Sequence, residues 1–416
     1  MRFRFFCQVG LILSISFCIL AQSDAAEIEL IGKAVIPAKL SDKSGLTGKL
    51  DDGTPLDRLG GFGSGIAYTG EKNRYVVLPD RGPKDGATSY ACRFHVVDIN
   101  VDPKAATKVQ FQLLETHLFK NNGKTFSGSF KDFDPQNAEK SRRMDPEGIR
   151  VSRQKTLYVS DEYGPSLFEF DFSGKELKRF SVPNRYKPNK QNADPKMELP
   201  PHNTKGRIPN RGFEGLAISP NGNVLVAALQ SPLIQDATQN KDGIMEGHNV
   251  RFLKIDLSTG KTSEFIYQLD AIQNVISEIL SVSDHQFLVI ERDSKPGPDA
   301  KFKKIMLIDT KEATDVSAVE KLPAMELPKS IQAAKKKVLI DLLDAQWNLA
   351  GEKFPEKIEG ICFGPSLPDG RILLLVISDN DFVETVDTWI MAFAIDKKVL
   401  PDYQPQIIDG KKSVSK

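Results

Sequence analysis

The sequence predicts an all-β fold: a β-propeller of five blades, with enough spare chain for a sixth, closed by the mature N-terminal strand. Three observations predict it. One short pattern recurs five times: a glycine-bearing start, a strand, a turn, and a second strand ending at charged residues. Each copy is followed by a third strand rich in β-branched and aromatic residues. The last copy lacks a fourth strand, and the segment just after residue 26 can supply it. Repeats of four short strands around a channel are the signature of a propeller. A pair of sandwiches or a solenoid also has short strands, but neither explains acids recurring at the same offset.

Strands A to D run from the channel outward. The first A–B pair is GFGSGIAYTGEKNRYVVLPDRG (61–82), with Ser64 where the other copies place Glu. The second is DPEGIRVSRQKTLYVSDEYG (145–164), with Glu147 at its start and Asp161–Glu162 at its end. GFEGLAISPNGNVLVAALQSP (212–232) and KIEGICFGPSLPDGRILLLVISDND (357–381) repeat it. VISEILSVSDHQFLVIERDS (275–294) is a variant carrying Ser277 and Glu278. Turn punctuation such as Pro220-Asn221-Gly222 and Pro368-Asp369-Gly370 suits antiparallel hairpins.

The C strands read as RFHVVDIN, SLFEFDF, RFLKIDL, KKIMLIDT and WIMAFAID. Asp98, Asp171, Asp256 and Asp309 are expected to open the turns that follow them. The D strands read as KVQFQLLETH, KELKRFSVP, KTSEFIYQL and KKVLIDL. EIELIGKAVIPA (27–38) is expected to be the missing fourth strand of the last blade, which removes an open sheet edge.

Residues 1–25 read as a secretory signal peptide: Arg2 and Arg4, a short apolar run, then Ser23-x-Ala25. Phe17 before Cys18 argues against a lipoprotein. Residues 26–410 are expected to form the propeller and 411–416 a tail. The protein is thus expected to be exported, periplasmic or extracellular, with no integral membrane segment after cleavage. Of its 416 residues 56 are basic and 55 acidic, so no basic excess suggests nucleic acid as a partner. Cys92 and Cys362 remain in the mature chain and are expected as separate buried thiols.

In an antiparallel hairpin the start of A lies beside the end of B. The acids of every copy should therefore meet at one channel mouth. The candidate metal ligands are Asp80, Glu147, Asp161, Glu162, Glu214, Glu278, Glu359 and Asp379. Crowded carboxylates need a balancing charge, and a hard cation such as Ca²⁺ takes oxygen ligands of this kind. Arg81, Arg211 and Arg292 stand in the same motifs and could grip an anion through their planar forks. Glu147, Glu214 and Glu359 are the candidate catalytic residues. The longest loops, 80–92, 121–147, 183–214, 229–250 and 291–302, should emerge at the same mouth. A bracing role for any single Glu is equally compatible with its place beside a glycine.

Other signals are weaker. The histidines lack zinc spacing, although His202 and His248 fall in mouth loops. QNKDGIMEG (239–247) has calcium-loop composition without the EF-hand spacing.

The set GGFGSGIAY, LPDRGP, DPEGI with LYVSDEYGPSLFEFD, GFEGLAISPNGNVLVAALQSPL and IEGICF with ISDND resembles the phytase-like family named for the esterase-like activity of phytase. The resemblance spans roughly residues 55 to 397. It implies an exported propeller that hydrolyses a small anionic ester, phosphate-bearing, with Ca²⁺ held on acids. By position those acids would be Glu147, Asp161, Glu162, Glu214 and Glu359, beside Arg81 and Arg211. Ser64 and Ser231 depart from the pattern. The alternatives are a propeller that binds a ligand or protein without catalysis, and a lactonase-type Ca²⁺-dependent hydrolase.

Overall fold

The computed structural model describes residues 26–410 apart from 135, 138 and 139, so the expected signal peptide and tail lie outside the described residues. The chain forms five four-stranded antiparallel sheets. Blade 1 comprises Gly65–Tyr68, Arg74–Leu78, Arg93–Val101 and Val109–Leu118. Blade 2 comprises Pro146–Val151, Leu157–Asp161, Ser166–Phe170 and Glu176–Arg179. Blade 3 is built from Phe213–Ile218, Val224–Leu229, Asn249–Asp256 and Thr262–Gln268, and blade 4 from Val275–Ser281, Gln286–Arg292, Lys303–Asp309 and Lys335–Asp341. Blade 5 joins Lys357–Phe363, Ile372–Asp379 and Thr388–Ile395 to the N-terminal strand Ile28–Ile36. The inner strands contact one another in sequence from blade 1 to blade 5 and back to blade 1. The expected ring is therefore present, with five blades among the described residues.

Closure rests on antiparallel pairing of Ile28–Ile36 with Thr388–Ile395, from Ile28 opposite Ile395 to Ile36 opposite Thr388. The apolar core lies between blades. One cluster joins blades 2, 3 and 4, and others join blades 4 and 5, 5 and 1, and 1 and 2. Inner strands are buried on both faces, which explains their almost continuous apolar character.

The inner strands approach so closely that glycine is needed beside them. A Cβ on Gly148 would lie 2.7 Å from Leu216 Cβ, and one on Gly215 would lie 2.7 Å from Ile279 N. Just before these glycines the ladder slips, in a β-bulge between Pro146 and Ile149 and between Phe213 and Gly215. The same slip occurs between Ile358 and Gly360, and between Ile276 and Glu278. The bulge turns Glu147, Glu214 and Glu359 out of the ladder toward the mouth. In blade 4 the equivalent residue is Ser277, and Glu278 takes the glycine position.

Three features depart from the sequence expectations. Asp171, Asp256 and Asp309 do accept from N–H groups of the turns that follow them, but Asp98 lies inside a strand opposite Arg74. The C–D connection of blade 4, residues 310–334, is a long excursion over the outer strand of blade 3. There Val316 N donates to Glu264 O and Ala334 N to Ile266 O, both at 2.9 Å. It covers an edge that would otherwise be open. Finally, residues 400–410 cross the face opposite the mouth, with Gln404 N donating to Val282 O and Ile407 N to Pro220 O. Cys92 and Cys362 are buried free thiols.

Candidate functional site

The mouth fed by the long loops opens on a cavity of about 340 Å³ lined almost wholly by polar groups. Its acids are Asp80, Glu147, Glu162, Glu214, Glu356 and Glu359. Its cations are Arg81, Arg211, Arg292 and Lys357. Eight of the eleven residues singled out from sequence therefore line one space; Asp161, Glu278 and Asp379 do not.

The acids are crowded and mostly buried. Burial, with repulsion from Glu214, Asp145 and Glu162, holds the Glu147 carboxyl well above the ordinary range. Burial and the neighbouring Glu359 push Glu214 up to about 8, against a hydrogen bond from Gln230. Glu162 is raised by burial and by Glu214 and Asp145, although Arg81 and Arg207 oppose the shift. Glu162 accepts from Gly212 N at 3.1 Å, so one of its oxygens braces the entry to blade 3. The second oxygen of Glu214 is buried with no hydrogen-bond partner.

The cations differ in their availability. Arg81 is engaged: its backbone N–H and its guanidinium both donate to Asp145, and Nη2 reaches Asp85 at 3.1 Å. Arg292 donates through Nε to Ser277 Oγ and through Nη2 to Glu359 Oε1, both at 2.7 Å. The bulge explains this pair, since Ser277 stands where blades 2, 3 and 5 carry Glu and receives the arginine instead. Arg211 donates its backbone N–H to Ile208 O at 3.0 Å, and its guanidinium feels Glu162 and Glu214 without a direct side-chain hydrogen bond or ion pair among the described residues. Burial lowers its pKa against their attraction. It is the mouth cation best disposed to meet an incoming anion.

Two groups of carboxylates bring their oxygens within 4.8 Å of one another: Asp145, Glu147 and Glu162, and Asp80, Asp379 and Asp381. Asp145 and Asp381 were not among the residues singled out from sequence. Asp145 stands two residues before the recurrent Glu-Gly, and Asp381 closes ISDND; both follow from the same hairpin logic. Burial raises Asp379 to about 7, with Lys357 opposing, and one of its oxygens is buried without a partner. Lys357 Nζ lies 3.0 Å from Asp381 and 3.8 Å from Asp379. Carboxylate oxygens left unpartnered inside protein suit a hard cation by donor chemistry, so the residues fit Ca²⁺.

The remaining expected ligands serve the scaffold. Asp161 accepts from the backbone N–H groups of Asp145, Tyr163 and Gly164, and burial raises it to about 6. Glu278 accepts from Leu216 N and Ile279 N at 2.9 Å and pairs with Arg150 at 2.9 Å. Burial raises it to about 7 against that pairing. Arg150 itself spans the channel. It starts on blade 2 and donates to Ile66 O of blade 1 at 2.9 Å and to Ile279 O of blade 4 at 2.7 Å. Arg150 also lines a smaller chamber, about 150 Å³, which the C-terminal segment helps to line. Sequence reading missed this crossbar; its signal is a lone arginine inside an apolar inner strand.

His202 and His248 do not line the cavity, and His248 Nδ1 bonds to Leu269 O at 2.8 Å. Residues 238–246 form a small hairpin in which Asn240 accepts from Asp242 N and donates to Glu246.

A five-bladed propeller with a well of carboxylates and arginines at one mouth is the class that fold and site define. The chain belongs to the phytase-like family described as esterase-like activity of phytase, whose model matches residues 57–382. It is 27% identical over 344 residues to an "uncharacterized secreted protein" of Arthroderma benhamiae. That match covers 66% of this chain and 64% of the relative's length. Among solved structures, a gluconolactonase of Xanthomonas campestris matches at 11% identity and a TM-score of 0.32, covering 79% of this chain and 85% of that one. The WD40 domain of Neurospora crassa Pan2 matches at 9% identity and a TM-score of 0.27, covering 83% and 64%. Likeness at this level carries nothing about chemistry.

Proposed function

We propose that this chain is an exported, Ca²⁺-assisted hydrolase of a phosphate ester, acting in the well at the propeller mouth. One observation carries the reading: Glu147, Glu162, Glu214 and Glu359 share a cavity with Arg211 and Arg292, so one space offers oxygen ligands for a cation and guanidinium forks for an anion. Membership of the phytase-like family supports a small phosphate-bearing substrate. The N-terminal segment and the secreted relative support export, with residues 1–25 removed and 26–410 forming one domain.

Glu147, Glu162 and Glu214 would hold the cation, with Asp80 and Asp379 as a second set. When bound, it polarises the phosphoryl oxygen and makes a bound water more acidic. The chain's own residues do the rest. Arg211 receives the phosphate, and Arg292 adds its positive charge beside it while Ser277, Glu359 and the Asp293 carbonyl fix its plane. Glu214 has one oxygen buried without a hydrogen-bond partner and would offer it as a ligand to the cation. Glu359 positions Arg292. Arg81, committed to Asp145, orients the carboxylate cluster.

The mature protein should hydrolyse 4-nitrophenyl phosphate with Ca²⁺ and stop when chelator is added. Glu147→Gln should lower kcat by about 10²-fold or more, a usual loss for a group of this kind. Absence of turnover with Ca²⁺, from protein of intact fold, refutes the catalytic reading. Turnover of a lactone alone would move the substrate class.

A further inference from the structure

Beside the mouth, over blade 2, lies a second cavity of about 300 Å³ walled by the rings of Phe133, Tyr163, Phe168 and Phe180. A smaller space of about 230 Å³ shares Arg143 and Tyr163 with it, and shares Arg81, Pro209 and Asn210 with the mouth cavity. The three spaces adjoin through these shared walls, in a row that runs from the mouth to the outer cavity. We propose that the outer cavity is a subsite for a planar aromatic group carrying negative charge. On the phosphoesterase reading above, which this deepens, that group is the part of the substrate beyond the reacting phosphate.

Charge reverses along this row. The mouth is crowded with carboxylates, whereas Asp161 is the one carboxylate lining the outer cavity among the described residues. Its two oxygens are taken by three backbone N–H groups at 2.9 to 3.3 Å. Against it stand Arg143, Lys187 and Arg179, the last paired with Glu176 at 3.4 Å and set over the Phe168 ring. Arg143 is fixed in place, donating to Asn192 O at 2.7 Å and to Glu198 at 3.3 Å. Its guanidinium lies 4.1 Å from the Phe133 ring centroid and 5.1 Å from that of Tyr163. Tyr163 stands at a joint of the row, with Arg81 on its ring at 5.7 Å and its hydroxyl donating to Gly128 O at 2.9 Å. Rings stacked with guanidinium planes favour a guest that is both flat and anionic. A bare phosphate would leave the rings unused, and a neutral alkyl chain would leave the cations unused.

The test uses the mature protein and naphthalene-1-sulfonate, which has no ester to cleave, followed by isothermal titration. Methanesulfonate supplies the same anion without a ring and should bind at least about tenfold more weakly. Phe133→Ala and Lys187→Ala, both at partly exposed positions, should each weaken naphthalenesulfonate at least about fivefold. Arg211→Ala, in the mouth, should leave that affinity within about twofold. The proposal is overturned if naphthalenesulfonate binds no tighter than methanesulfonate, or if its affinity survives both Phe133→Ala and Lys187→Ala. If the variants behave as expected but no phosphoester is hydrolysed, the catalytic reading fails and the subsite stands.

Discussion

Arg292 of blade 4 donates to Glu359 of blade 5 at 2.7 Å, and both side chains are about 5% exposed. The pair bridges two blades at the rim of the well. Arg292→Ala leaves Glu359 buried and unpaired, so it should cost about 3–5 kcal/mol in urea unfolding. Glu359→Gln keeps an acceptor oxygen and should cost less, about 1–3 kcal/mol. It also removes a charge that raises Glu214. The Glu214 carboxyl should then titrate below its value of about 8, which ¹³C NMR of labelled glutamate would read.

Stability should depend on pH in a direction opposite to that of most proteins. Burial raises Glu214 from 4.5 to about 8 and Asp379 from 3.8 to about 7 in the folded state. Between those values the folded protein binds more protons than the unfolded chain. The contribution of these groups is therefore full below about pH 4 and is lost as pH rises through 7 to 8. With chelator present, the urea midpoint should fall from pH 5 to pH 8. A midpoint that rises over this range would mean that the carboxylates are balanced by something else.

On the proposed reading calcium should reverse that loss, because it would bind the deprotonated carboxylates of the folded state alone. At a hundredfold excess over Kd it should add about 2.7 kcal/mol at pH 8. Replacing both Glu147 and Glu214 by Gln should remove most of the gain, measured as the shift in Tm on adding Ca²⁺. A variant that keeps the full shift would place the ion elsewhere, with Asp80, Asp379 and Asp381 the next set to replace.

Ring closure can be tested away from the site. Ile31 is 2% exposed, on the N-terminal strand, and packs among residues of blades 5 and 1. Ile31→Ala should cost about 2–5 kcal/mol through lost burial and the cavity left behind. Deleting residues 27–37 should expose the edge of Thr388–Ile395 and cause association, visible by light scattering.

The ring and the meeting of its acids were legible because hairpin geometry is local: a strand start and its partner's end must be neighbours. The N-terminal closing strand was legible because the fifth unit was one strand short. What escaped depended on register or on the course of loops. Ser277 and Glu278 exchange roles through a bulge that sequence spacing does not reveal. Arg81 is committed to Asp145 because of how the loop after residue 119 returns to the mouth. The 310–334 excursion has no apolar period, and its purpose appears only against the outer strand of blade 3. Arg150 stands alone in an apolar inner strand, and its role shows only when two distant carbonyls are seen to meet it.

That crossbar ties the hub of the propeller together: one guanidinium is fastened to carbonyls of three blades. On the proposed hydrolase reading, reactant and spent product would share the loop-fed mouth as their doorway. A product that lingers there would block the next arrival, and the pace of the whole cycle would be set by how readily the doorway clears.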